Sequence, residues 1–332
     1  MNVTRLAPSP TGTLHLGNAR TFVVNWVLAR KLGWKVVLRI EDLDGPRIKK
    51  GADRQAVEDL QWLGLDWDAG PVYQSSDIGR YVAAIETLIR AGHAYPCVCS
   101  RREAELAASA PHAEDGAAVY PGTCRGKYAS VADARRAGAR EPAIRFGVPA
   151  GVVQFRDELS GPHRVDVASR LGDFVIAKAA APGRPGLPWV PAYQLAVVID
   201  DAGMGVTEVV RGDDLLDSTP RQILLYSALG LAEWVPRYYH LPLVVGPDGR
   251  RLAKRHGDSR LSYYRERGVP PSRVLALIAR WCGIDAPVEC ADAGRTMERM
   301  LEHFRLESVP RGPITFTPAD DDWLSAGSIL ST

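Results

Sequence analysis

Residues 3–18 read Val-Thr-Arg-Leu-Ala-Pro-Ser-Pro-Thr-Gly-Thr-Leu-His-Leu-Gly-Asn, and this stretch decides the fold. The apolar run 3–7 is long enough for one short buried strand, and it stops at Pro8. A Pro/Gly/Ser/Thr-rich loop follows to Thr13, the composition of a turn that cannot continue a ladder. Over residues 17–32, Ala19, Phe22, Val23, Trp26, Val27 and Ala29 share one helical side, and Gly33 is placed to cap the end. Val36, Val37, Leu38 and Ile40 then form a second buried strand, with Glu41 and Asp42 at its carboxyl end. Strand, helix and strand at this spacing predict a parallel sheet. In such a sheet the loop between first strand and first helix meets a nucleotide phosphate, because the helix start offers free N–H groups and a positive dipole end.

Two familiar phosphate loops are excluded: there is no G-x-G-x-x-G, and Gly12-x4-Gly17 is followed by Asn18-Ala19 instead of lysine and a hydroxyl. Instead His15 and Asn18 lie three apart, so both side chains can donate to a phosphate from one face, and Gly17 leaves room for close approach. The plainer alternative is a proline-rich turn with a capping asparagine. Much later, Arg251-Leu252-Ala253-Lys254-Arg255 follows a Gly-Pro-Asp-Gly turn at Gly246. A basic pentapeptide by itself is usually just surface.

Together these segments carry a resemblance. Residues 5–18 resemble the HIGH motif of class I aminoacyl-tRNA synthetases in its glutamyl and glutaminyl version, with Asn18 where the general motif ends in histidine. Residues 251–255 resemble the KMSKS loop of the same class. The resemblance covers residues 1 to about 280, with a weaker echo at 303–310. It implies an α/β fold, a Rossmann-like parallel sheet split by a zinc-binding insertion, ending in a small helical region. It also implies activation of L-glutamate by ATP with magnesium, with His15, Asn18 and Lys254 catalytic and His15, Gly17, Asn18 and Lys254 on ATP. The positions matching Arg5, Leu6, Ala7, Pro8, Ser9, Glu41, Tyr193 and Arg211 would hold the glutamate. From the residues alone, Arg5 and Glu41 could equally pair with each other, and Tyr193 could be core.

Residues 53–63 and 78–91 read as amphipathic helices, 195–199 and 206–210 as resumed parallel core, and 272–282 as a helix. The expected domains are 1–95 and 173–250 as halves of the nucleotide-binding unit, 96–172 as the insertion, and 251–332 as lysine loop and helical tail. Cys97-x-Cys99 with Cys124 supplies three thiols in one segment, a moderate zinc signal. Buried reduced cysteines are the alternative. The resemblance implies one structural zinc and matches Tyr120 to an unusual oxygen ligand, with His112 the chemical alternative.

With 332 residues, 46% hydrophobic and 24% charged, the chain can bury a large core in two or more domains. A net charge of +2 leaves nucleic-acid binding to local groups such as Arg101-Arg102, Arg125 with Lys127, and Arg135-Arg136, or to none if these are a solvated face. There are no internal repeats and no membrane-length apolar run, and five cysteines without an export signal point to the cytoplasm. No obligate protein partner is evident. About seventy-five residues follow the lysine loop, too few for an anticodon-binding domain. This favours, within the family, a truncated paralogue that attaches glutamate to queuosine in the anticodon of tRNA(Asp). The rivals are a compact enzyme charging tRNA(Glu), a non-catalytic glutamate-adenylate-binding paralogue and an unrelated nucleotidyltransferase.

Overall fold

The computed structural model describes residues 1–100, 102–104, 119–138, 140–180, 189–250, 252, 258–286 and 288–326. Lys254, Arg101 and His112 lie outside them. The opening unit has the expected form: strand β1 (Val3–Leu6), helix α1 (Leu16–Leu32) and strand β2 (Lys35–Ile40), with β1 and β2 parallel and Arg5 in register with Val37. Gly33 takes a left-handed φ of 68° at the end of α1, which a side chain with a Cβ would resist. Helix α2 (Ala52–Trp62) leads to β3 (Ala69–Tyr73), parallel to β2, and helix α3 (Gly79–Arg90) follows.

On its other edge β1 runs beside β10 (Glu208–Gly212), where the Thr207 N–H donates to the Val3 carbonyl at 2.9 Å. Strand β10 pairs in parallel with β11 (Arg237–Leu241), with Arg211 opposite His240. The carboxyl ends of β1, β2 and β10 therefore converge. Between the two halves lies an antiparallel sheet in the order β4 (Ala94–Cys97), β5 (Ala143–Phe146), β8 (Phe174–Ala179) and β9 (Trp189–Pro191). A short helix, α4 (Val131–Ala137), precedes β5, and a hairpin of β6 (Val152–Asp157) and β7 (Gly161–Asp166) adds to β11.

Three expectations need correction. Residues 195–199 are not strand: they lie in a helix, α5 (Tyr193–Gly203), which buries Leu195, Ala196, Val197 and Val198. A helix covered on several sides loses its polar stripe, so its apolar run imitates a strand. The inserted sheet extends to Pro191, past the expected end at 172. The β6–β7 hairpin, placed in the insertion by sequence, pairs with the parallel half.

Helices α6 (Ser218–Ala228), α7 (Leu261–Glu266), α8 (Pro271–Trp281), α9 (Ala293–His303) and α10 (Pro318–Ser325) complete the chain. Trp281, Met297, Met300 and Phe304 from the last helices share one apolar cluster with Val23, Val27 and Leu28 of α1. The helical tail is thus the second wall of the α1 core, and each side chain buried there contributes about 1.5–3 kcal/mol. A separate cluster around Ile85, Ile144, Phe146, Phe174 and Ile176 holds the inserted sheet. Among the described residues no helix is long and apolar enough to cross a membrane.

Candidate active site

The converging strand ends open into a cleft of about 1120 Å³. It is lined by Arg5, Ala7, Pro8, Ser9, His15, Gly17, Asn18, Glu41, Tyr193 and Arg211, among others. Leu6 differs: its side chain is fully buried in the core, so only its backbone can face a ligand.

At the start of α1, His15 is the N-cap. Its Nδ1 accepts from the N–H groups of Gly17 at 3.1 Å and Asn18 at 3.3 Å, while Asn18 Oδ1 accepts from the His15 N–H at 3.3 Å. This capping box settles atomic roles. With Nδ1 accepting, the ring proton resides on Nε2, and the Asn18 amide keeps its NH2 as donor. Gly17 matters for a reason the sequence did not show: a Cβ there would lie 3.0 Å from His15 Cε1. Leu16 N–H donates to the Ser259 carbonyl and Leu261 N–H to that of Leu14, at 2.9 and 2.8 Å. The segment just after the lysine loop is thereby stapled to the His15 loop.

The strand ends carry two arginines in different electrostatic settings. Arg5 is buried, donates from Nη1 to the Val210 carbonyl at 3.2 Å, and lies 3.6 Å from Asp201 Oδ1. Glu41 pairs with the fully buried Arg39 at 3.0 Å. Arg39 also meets Asp201 at 2.6 Å and Asp200 at 3.8 Å. Burial pushes the Glu41 and Asp200 carboxyls above their ordinary values, since desolvation outweighs the pull of Arg39. Asp200 further accepts from Gln74 Nε2 at 2.5 Å and the Tyr81 hydroxyl at 2.8 Å.

Arg211 is equally buried, 5% exposed, but its partners are neutral: His240 Nε2 at 3.0 Å, Gln222 Oε1 at 3.0 Å, Thr219 Oγ1 at 2.9 Å and the Leu215 carbonyl at 3.3 Å. Tyr193 is 37% exposed at the cleft, not in the core. Sequence reasoning missed Arg39, Gln74, Asp200, Asp201 and His240. The adjacent Asp200-Asp201 at the end of an apolar run was the available signal, because a buried charge pair demands a buried partner.

A second constellation sits at the end of β4. The sulfurs of Cys97, Cys99 and Cys124 all lie within 4.8 Å of one another, with Cys99 and Cys124 at 3.5 Å. The Tyr120 hydroxyl is 3.4 Å from Cys97 Sγ and 3.5 Å from Cys99 Sγ. A tetrahedral zinc with bonds of about 2.3 Å needs ligand spacings of about 3.8 Å, so three sulfurs and one oxygen at these distances fit. Arg145 stacks on the Tyr120 ring at 3.7 Å and donates to Cys97 Sγ at 3.3 Å, favouring anionic ligands. Burial holds the Cys99 thiol up at about 11. At Cys124 burial acts the same way, but the Val98 N–H and neighbouring side chains outweigh it and lower the thiol.

Known proteins resemble this chain over nearly its whole length. The family described as tRNA synthetases class I (E and Q), catalytic domain, matches residues 2–311. A Glutamyl-Q tRNA(Asp) synthetase of Rhodopirellula baltica is 44% identical over 96% of this chain and 97% of that protein. A protein of the same name from Symbiobacterium thermophilum is 44% identical over 98% of both. A Glutamate--tRNA ligase of Nitratidesulfovibrio vulgaris is 38% identical over 99% of this chain, which spans 67% of that protein. Among solved structures, a glutamate tRNA ligase from Elizabethkingia meningosepticum in complex with its amino acid superposes with a TM-score of 0.77 at 27% identity, over 97% of this chain and 68% of that one.

Proposed function

The chain belongs to the class I tRNA synthetases of the E and Q branch, and from that premise we propose that it is an ATP-dependent ligase joining L-glutamate to queuosine in the anticodon of tRNA(Asp). The observation that carries the acceptor is the end-to-end match, at 44% identity, to proteins named for it. The cleft supplies the chemistry.

The glutamate α-carboxylate attacks the α-phosphorus of ATP, the bond to the bridging oxygen breaks, and pyrophosphate leaves. An acceptor hydroxyl then attacks the adenylate carbonyl and AMP departs. His15 Nε2–H, the Asn18 amide and the start of α1 stabilise the phosphates, with Gly17 giving room for the ring. Lys254 balances charge on the departing pyrophosphate. Magnesium arrives with ATP as part of the substrate. Arg5 and Arg211 meet the glutamate carboxylates and Glu41 and Ser9 its ammonium group. Ala7, Pro8, the Leu6 backbone and Tyr193 complete the walls. An amide substrate would leave a buried guanidinium without a counter-charge, which favours glutamate over glutamine. Cys97, Cys99, Tyr120 and Cys124 would hold one structural zinc, fixing a segment with little apolar content. We assign the reaction to the cytoplasm, where ATP and tRNA are both available.

The test is ATP–pyrophosphate exchange followed by transfer and nuclease digestion. Exchange dependent on glutamate, with label recovered on an anticodon nucleoside, supports the reading. Label on the 3′-terminal adenosine would instead make the chain a tRNA-charging enzyme. Adenylate binding without exchange would make it a non-catalytic paralogue.

A further inference from the structure

We propose that Asp157 and His240 are positioning residues for Arg211, and that the tautomer of His240 sets how strongly the site prefers a carboxylate to an amide. The inference rests on Arg211 meeting glutamate. Asp157 Oδ2 accepts from the His240 backbone N–H at 3.0 Å and lies 2.8 Å from His240 Nδ1. An ionised carboxylate only accepts, so Nδ1 carries the imidazole proton and Nε2 is left bare. Into that lone pair Arg211 donates its Nε–H, at 3.0 Å. Thr219 Oγ1 braces both, 3.2 Å from Nε2 and 2.9 Å from Arg211 Nη2.

Asp157 is itself locked. Its Oδ1 accepts from the N–H groups of Leu159 at 3.0 Å and Ser160 at 2.8 Å. Burial would raise this carboxyl, but the bonds from His240 and Ser160 outweigh it and hold it below its ordinary value. Burial likewise lowers the imidazole, agreeing with a neutral acceptor. The chain of contacts therefore runs from the end of β6 through β11 to β10. It orients a guanidinium without neutralising it, since the acceptors of its hydrogen bonds at His240, Gln222, Thr219 and Leu215 bear no negative charge. Arg5, by contrast, already has Asp201 beside it.

Asp157→Asn places an amide that can donate to Nδ1. The opposite tautomer then becomes available, and Nε2–H faces the Arg211 Nε–H. Steady-state glutamate-dependent exchange should show KM for glutamate rising about ten- to a hundredfold, with kcat and KM for ATP changing less than about threefold. The preference for glutamate over glutamine should fall in parallel. His240→Gln keeps an acceptor near the Nε2 position and should stay closer to wild type than His240→Leu. Should Asp157→Asn fail to fold, the His240→Gln and His240→Leu pair decides. Folded variants with unchanged KM for glutamate, or with KM for glutamate and ATP raised alike, would overturn the inference. Wild-type protein without glutamate-dependent exchange would overturn the functional reading, and this inference with it.

Discussion

Replacing Gly17 by alanine separates the two jobs of the His15 loop. The added Cβ would sit 3.0 Å from His15 Cε1, 3.1 Å from Nδ1 and 3.6 Å from Val244 Cβ. Comfortable carbon contacts begin near 3.5 Å, so the ring must yield by about 0.5 Å. For stability two effects oppose. Alanine favours a helix over glycine by up to about 1 kcal/mol, and loss of the imidazole cap costs about 1 kcal/mol. The net is small, and Tm should move by only a few degrees. For catalysis nothing offsets the displacement. If a 1 Å misplacement costs about a hundredfold, half of it costs about tenfold in kcat for exchange. Thermal unfolding and exchange kinetics on one preparation check both halves. Unchanged exchange would show that the imidazole does not meet the phosphates. A Tm loss beyond about 10 °C would show that the glycine serves the fold instead.

Cys124→Ser should abolish stoichiometric zinc, measured by metal analysis of the purified chain; retention of one zinc per chain would contradict the ligand set. Arg39→Leu removes the cation that Glu41, Asp200 and Asp201 share, leaving only Arg80 on Asp200 and Arg5 on Asp201; it should cost about 3–5 kcal/mol, or about 4–7 °C in Tm, and an unchanged Tm would refute the buried network. Burial pushes the Asp59 carboxyl up to about 6 despite Arg265 at 3.7 Å. The folded pKa exceeds the unfolded one, so this group's contribution is present below about pH 4 and is lost as pH rises through about 6. Asp59→Asn should accordingly raise Tm near pH 7.5 and not near pH 4, and the opposite pattern would show that the pairing with Arg265 dominates.

The first strand, loop, helix and second strand were readable because local signals coincide there: a proline stop, a capping pair, a helical stripe and a glycine at the helix end. Glu41 followed directly, being the residue after an apolar strand. The cysteines were readable from spacing, and the structure brings their sulfurs together. What failed was non-local. Residues 195–199 are apolar because four successive residues of α5, Leu195 to Val198, are buried, with Leu195 and Val198 in the inserted sheet's cluster, which erases the period that separates helix from strand. The β6–β7 hairpin gives no sign of its partner, since pairing with β11 spans some eighty residues of chain. Arg39 interrupts the apolar run of the second strand, and nothing local in the sequence marks it as buried. Its burial is visible only once Asp200 and Asp201 are seen across from it.

The most direct test is transfer of labelled glutamate, with ATP, to three substrates: tRNA(Asp) bearing queuosine, the same tRNA without it, and tRNA(Glu). The account predicts labelling of queuosine-bearing tRNA(Asp) alone. Labelling of tRNA(Glu), with or without queuosine elsewhere in the mixture, would contradict it and assign the chain to charging of an acceptor end.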